Sequence, residues 1–321
     1  MRTSSTPATR RAETVFVRFA ERITRTFSSA HMKSESSCGE IVRMQALLRL
    51  APGARVIARG TNALQFGLDA TRCGIVETDL APRIAPVLAR LSEAAPEAEV
   101  VSGLVEAGLR PAAALSLLGD LISYRVVVAV PAARPSVLVC GAGPLYDATT
   151  AHLRSAGATV RSALGAEPLS RALEGLDAHI PVALIDTLPH ALAHAHDLRD
   201  HAGDTLPISV VDTRVFIGPL GGNRGGPCPL CAHLYHAERD HQWGAIIRAN
   251  APDPAAADPL VVAAGAAAAA VALRRLCGLL DPPGVSAPGL RRGEVITIDP
   301  FGPTPLAREV VSPHGDCPVC F

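Results

Sequence analysis

Two short motifs, Cys228-Pro229-Leu230-Cys231 and Cys317-Pro318-Val319-Cys320, restrict this chain more than anything else in it. A pair of C-x-x-C knuckles supplies four thiolates, the ligand type and number of a closed tetrahedral zinc site. The knuckles are separated by 85 residues, far more than a zinc ribbon uses. The intervening chain must therefore fold so as to bring its last residues back to a loop near position 228. Four thiolates leave no coordination position for a substrate, so the expected role is a structural zinc staple. A redox dithiol pair and unliganded thiols are the other readings of the same residues. His233, His236 and His241 follow the first knuckle closely enough for one to replace a thiolate. Cys38, Cys73, Cys140 and Cys277 lack ligand spacing and read as small packed hydrophobes.

Paired cysteines point to metal chemistry only where thiols stay reduced. The N-terminus has no apolar h-region, its longest apolar run being Val15, Phe16 and Val17, so a cytoplasmic location is expected. No apolar run reaches the roughly 18 residues of a membrane-spanning helix. The nearest, residues 259–273, is mostly alanine and suits a helix packed close against other backbone. No membrane span is expected.

Thirty basic and thirty acidic side chains cancel, which leaves no global field to hold a polyanion. Aromatics are 3% of the chain and Trp243 is the single tryptophan, so there is no stacking platform for bases. Nucleic acid is not an expected partner. The cancellation hides a basic tail: residues 1–33 carry +5 and the remainder −5. Arginine supplies 29 of the 30 positive charges, a bias that with the abundant alanine fits a GC-rich bacterial genome.

The length suggests two domains. Residues 1–40 read as the basic tail, within which Phe16, Phe19, Ile23 and Phe27 share one face of a short amphipathic helix over 13–27. Residues 41–130 read as a winged-helix-like domain. Its three short strands over 55–59, 63–68 and 73–78 stand on tight turns; three helical periods and a closing strand over 124–130 follow. Residues 131–135 form a Pro/Ala linker.

Residues 131–321, beginning with that linker, read as a second domain whose order is that of a Rossmann-like, mostly parallel α/β sheet. A buried strand over 137–140 runs into Gly141-Ala142-Gly143 and a helix, and further strands are expected at 158–163, 182–185 and 208–212. Gly141 and Gly143 match the opening of the dinucleotide fingerprint. Tyr146 stands where the third glycine belongs, and no carboxylate follows the second strand. ATP is therefore not expected to bind. His190, His194 and His201 fall on one face of a helix over 188–201 and read as a solvated histidine face, with His190 and His194 at metal spacing but no glutamate between them.

Gly218-Pro219-Leu220, the first knuckle, Arg239, Asp240, Trp243, the alanine-rich helix and Cys317 with Cys320 keep a distinctive order. That order resembles the knuckle region of the ThiF-like proteins of thiazole/oxazole-modified microcin biosynthesis, relatives of ubiquitin-activating enzymes. The resemblance runs from about residue 54 to the end. It implies that the front domain is a precursor-peptide recognition element whose third strand and third helix frame a groove for a leader peptide. Ile75, Val76, Glu77, Leu115 and Leu118 would line it, the peptide adding to the strand edge by main-chain hydrogen bonds. It also places Asp186 at the family's aspartate after the strand over 182–185, in a degenerate nucleotide site with Gly141 and Gly143. Members of the family either adenylate a C-terminal carboxylate or only bind a leader peptide and present the precursor to a YcaO-type cyclodehydratase. The missing glycine and carboxylate put this chain with the second kind, a non-catalytic scaffold; a homodimer is compatible with that role. The alternative is a divergent ATP-dependent adenylating enzyme acting on a peptide or sulfur-carrier C-terminus.

Overall fold

The computed structural model describes residues 16–18, 46–131, 133–163, 167–222, 225–249, 257–285 and 287–321. The chain divides into two compact units, residues 1–132 with 281–286, and residues 133–280 with 287–321.

In the first unit, β1 (Phe16–Arg18), β3 (Val56–Ala58), β4 (Ala63–Phe66) and β5 (Ile75–Glu77) form an antiparallel sheet of order β1-β5-β4-β3. A second antiparallel sheet has β2 (Leu47–Leu50) between β6 (Ala95–Pro96) and β7 (Val127–Ala129). A single helical turn, α1 (Ala70–Cys73), precedes β5 because Asp69 caps it, its Oδ1 accepting from Thr71 N at 2.9 Å. The third strand therefore starts at Ile75, two residues later than its sequence pattern suggests.

Three helices complete this unit: α2 (Ala81–Ala89), α3 (Glu97–Glu106) and α4 (Pro111–Ser123). Pro111 opens α4 at its first turn, where no amide hydrogen is missed. Leu64, Phe66 and Val76 from the first sheet bury against Ile84, Leu88, Leu104, Leu117, Leu118 and Leu121 from the helices. The expected helix over 13–27 is not what residues 16–18 form: they are extended and pair with β5. Val-Phe-Val is a β-type run that outweighs the helical spacing of its phenylalanines. The rest of that segment lies outside the described residues.

The second unit is built on one mixed sheet. Strands β8 (Ser136–Gly141), β9 (Thr159–Ser162), β10 (Val182–Ile185) and β11 (Asp204–Val211) run parallel in the order β9-β8-β10-β11. Beyond β11 the sheet turns antiparallel. It continues through β12 (Arg214–Ile217), β14 (Glu294–Ile298) and β15 (Leu306–Val310), and the short β13 (Gly221–Gly222) pairs with β11. The sheet is thus half parallel and half antiparallel.

Alternation along β8 separates two cores. Val137 and Val139 pack toward α5 (Pro144–Ser155) and α10 (Pro259–Leu276), while Leu138 and Cys140 pack with Leu169 of α6 (Leu169–Leu173) and with Leu198, just past α7 (Ala191–Asp197). Helix α10 has the length and apolar composition to cross a membrane, yet Val261, Val262, Gly265, Ala266, Ala269 and Leu273 bury one face in this core. Its small side chains allow close approach: a Cβ at Gly265 would lie 2.4 Å from a methyl of Val215.

Candidate metal centre and the ends of the parallel strands

Cys228 caps α8 (Pro229–Arg239), Pro229 takes its first turn, and Cys231 follows one turn later. The first knuckle therefore sits at the positive end of a helix, where thiolate is favoured. Its partner comes from the chain's last residues. Tyr235 Oη donates to Ser312 O at 3.1 Å, and the rings of Tyr235 and His314 meet edge-on at 4.8 Å. His314 O accepts from Cys317 N at 3.0 Å, closing the turn that presents the second pair. Ala195 of α7, Leu230, Cys231 and Cys317 form a small core of their own.

The four sulfurs gather as the spacing predicts, all within 4.8 Å of one another. Cys228 and Cys231 are 3.7 Å apart, Cys228 and Cys317 3.5 Å, and Cys231 and Cys320 3.5 Å. A disulfide needs about 2.05 Å. Tetrahedral zinc with Zn–S near 2.3 Å sets neighbouring sulfurs about 3.8 Å apart. Cys231 and Cys317 are fully buried, and His314 N donates to Cys231 Sγ at 3.4 Å, a hydrogen bond to a ligand sulfur of the kind that tunes metal sites. Without a cation this cluster cannot ionise together. The hydrogen bond with Cys231, and then burial, hold the Cys228 thiol above the usual range, burial does the same for Cys320, and the hydrogen bond with Cys228 pulls Cys231 down. A divalent cation resolves the conflict by taking thiolates and releasing their protons. The donor set and the distances fit a metal ion.

Among the described residues, His233, His236 and His241 contribute no ligand atom to this cluster. His236 stacks on Trp243 at 4.6 Å and meets Phe216 edge-on at 5.4 Å; Trp243 opens α9 (Trp243–Ala249). The solvated histidine face holds only at His190, which is exposed. The helix over 188–201 is a 3₁₀ turn, Leu188–His190, followed by α7, and His201 beyond it is 7% exposed, its Nε2 2.8 Å from Ile180 O. His194 Nδ1 and His233 Nδ1 are buried without a hydrogen-bond partner among the described residues, and burial lowers the pKa of both rings.

At the carboxyl ends of the parallel strands, the residues expected to form a degenerate nucleotide site are engaged with the protein itself. Gly141 has φ 137°, and a Cβ there would lie 2.1 Å from Ile185 O. The absent side chain lets β8 and β10 approach. Gly143, with φ 94°, caps α5. Tyr146 Oη donates to Ser162 Oγ at 2.6 Å, tying α5 to the end of β9, where the fingerprint wants its carboxylate. Asp186, itself at φ 54°, accepts from Val210 N at 2.8 Å, and burial raises its carboxyl to about 6. A neighbouring cavity lined by Thr187, Ser209, Phe216 and His236 has a volume of about 30 Å³, room for a water molecule or two and not for a substrate.

In the first unit, Ile75 and Glu77 lie at the β5 edge and Val76 is buried beneath it. Of the two α4 residues expected in the groove, Leu115 is exposed but Leu118 is 2% exposed and belongs to the core, so it has no surface to offer a peptide. The heptad-like Leu run of α4 does not tell which leucine faces out. The β1 strand on the β5 edge was missed by sequence reasoning, although Val15, Phe16 and Val17 carry its signal.

No protein-family model matches this sequence, and no curated protein does. Solved structures match in fold. One is a heterocyclase in complex with substrate and cofactor, at 17% identity and a TM-score of 0.54, over 86% of this chain and 39% of the heterocyclase. Another is the heterocyclase TruD, at 16% identity and a TM-score of 0.54, over 86% of this chain and 43% of TruD. The chain spans about two fifths of the length of these proteins, and what it shares with them is the fold.

Proposed function

We propose that this protein is a non-catalytic scaffold that binds the leader segment of a precursor peptide and presents the precursor to a separate modifying enzyme of the YcaO cyclodehydratase type. The first unit is its winged-helix-like recognition domain. The second is a ThiF-like, Rossmann-like domain held by structural zinc on Cys228, Cys231, Cys317 and Cys320. The observation that carries this reading is the β5 edge. The chain's own residues 16–18 pair with it antiparallel, the geometry an external peptide would take by strand addition. Fold likeness to a heterocyclase seen with its substrate supports the same direction. At the strand ends, Tyr146 and Asp186 spend their polar groups on Ser162 and Val210, which favours the scaffold over an adenylating enzyme.

The test is a fluorescence-anisotropy titration of the full chain with a labelled leader peptide encoded beside its gene. Saturable binding is expected. Ile75→Pro, which deletes a main-chain donor at the edge, should weaken it at least tenfold, as the loss of one or two hydrogen bonds would. Binding unchanged by Ile75→Pro would place the peptide elsewhere, and no binding at all would remove the scaffold reading.

A further inference from the structure

The peptide-docking edge is not empty. Thr78 N donates to Asn62 O at 2.8 Å and Phe66 N to Gly74 O at 3.3 Å, so residues 74 and 78 turn their main-chain groups toward β4. Val76, opposite Leu64, does the same by alternation. Ile75 and Glu77 therefore turn theirs the other way, and Arg18 and Phe16 stand opposite them in antiparallel register. The two residues of β5 that could hold an incoming strand are paired with the chain's own residues 16–18.

We infer that residues 16–18 are a built-in occupant of this edge, a tethered strand that an external peptide must displace before it docks. The inference rests on the proposed peptide-binding role of the edge and adds its regulation. Because the occupant belongs to the same chain, its competition is set by an effective concentration and not by abundance. Such an internal pairing can then screen out poor ligands. It also covers an edge that β5 leaves otherwise unprotected, since Glu77 is its only charge and it has no proline. An external peptide that prevails must outdo this pairing with further edge pairs or with side-chain contacts, in the same antiparallel sense.

Amide hydrogen exchange of the full chain reads this directly. Ile75 and Glu77 amides should be protected in the parent chain. In a Phe16→Pro, Arg18→Pro variant, which lacks both facing donors, these two amides should exchange roughly tenfold faster or more, while the Leu64 amide stays as slow as in the parent. A labelled synthetic peptide of residues 12–22 should bind the variant at least tenfold more tightly than the parent and restore protection at Ile75 and Glu77. Equal exchange in parent and variant, or equal peptide affinity for the two, would overturn the inference. The exchange comparison uses no leader. If a leader binds neither protein while the exchange difference is present, the scaffold reading fails and the internal pairing stands.

Discussion

Gly141 and Asp186 have the residue types of a nucleotide site, and their neighbours give both of them structural work. Gly141 clears the backbone of Ile185, and Asp186 replaces a ladder hydrogen bond at Val210. The second arrangement has a cost that pH exposes. An aspartate titrates near 3.9 when solvated, and burial lifts Asp186 to about 6. Between those values the folded chain binds more protons than the unfolded one. This group's contribution to stability therefore falls as pH rises from about 4 to about 6, and the loss stands at roughly 2–3 kcal/mol at neutral pH. The lowered His194, His233 and His236 act with the opposite sign, losing stability as pH falls below about 6.5, so only a comparison with a variant isolates the aspartate. Asp186→Asn keeps an acceptor for Val210 and carries no charge. It should raise the urea midpoint at pH 7 and leave the two proteins alike near pH 4. A variant less stable than the parent at pH 7 would mean that the ionised carboxylate has a partner worth more than its burial costs.

At the scale of elements, two glycines in helices separate packing from propensity. Gly119 lies exposed in α4 with nothing within 4 Å of a Cβ, whereas a Cβ at Gly265 in α10 meets Val215 at 2.4 Å. Gly119→Ala should stabilise its unit by about 0.5–1 kcal/mol through helix propensity alone. Gly265→Ala gains the same propensity but should destabilise its unit by about 1–3 kcal/mol through overpacking. Denaturant midpoints of the two variants check both signs. Much at this scale was legible in the sequence. The Val-Leu-Val-Cys run before Gly141, the strand over 182–185 and the alanine-rich helix all form where their patterns put them, because each satisfies its backbone locally or is apolar on both faces. The antiparallel half of the sheet was not legible. Arg214–Ile217, Glu294–Ile298 and Leu306–Val310 are short, and the last is exposed along its whole length. Strand β12 turns straight back on β11 and β15 on β14, and only the β12–β14 pairing joins segments far apart in sequence. Residues 16–18 also pair far away in sequence, and their strand exists only against β5.

Over the whole second unit, the four-cysteine cluster brings the last turn of the chain to the start of α8, as its spacing predicts. Purified protein should contain one zinc per chain by elemental analysis. Replacing Cys317 and Cys320 by Ser should abolish it and speed amide exchange across the segment from Leu306 onward, because metal binding here is folding free energy for the tail. Zinc content unchanged by the double substitution would refute the ligand set. The proposed scaffold role requires that the α/β unit perform no nucleotide chemistry of its own. Calorimetric titration of the zinc-loaded full chain with ATP and magnesium tests that claim most directly. No saturable heat is predicted, because Tyr146 closes on Ser162 and Asp186 on Val210 where a nucleotide would need them; binding in the low micromolar range would contradict it and make the adenylating enzyme the better description.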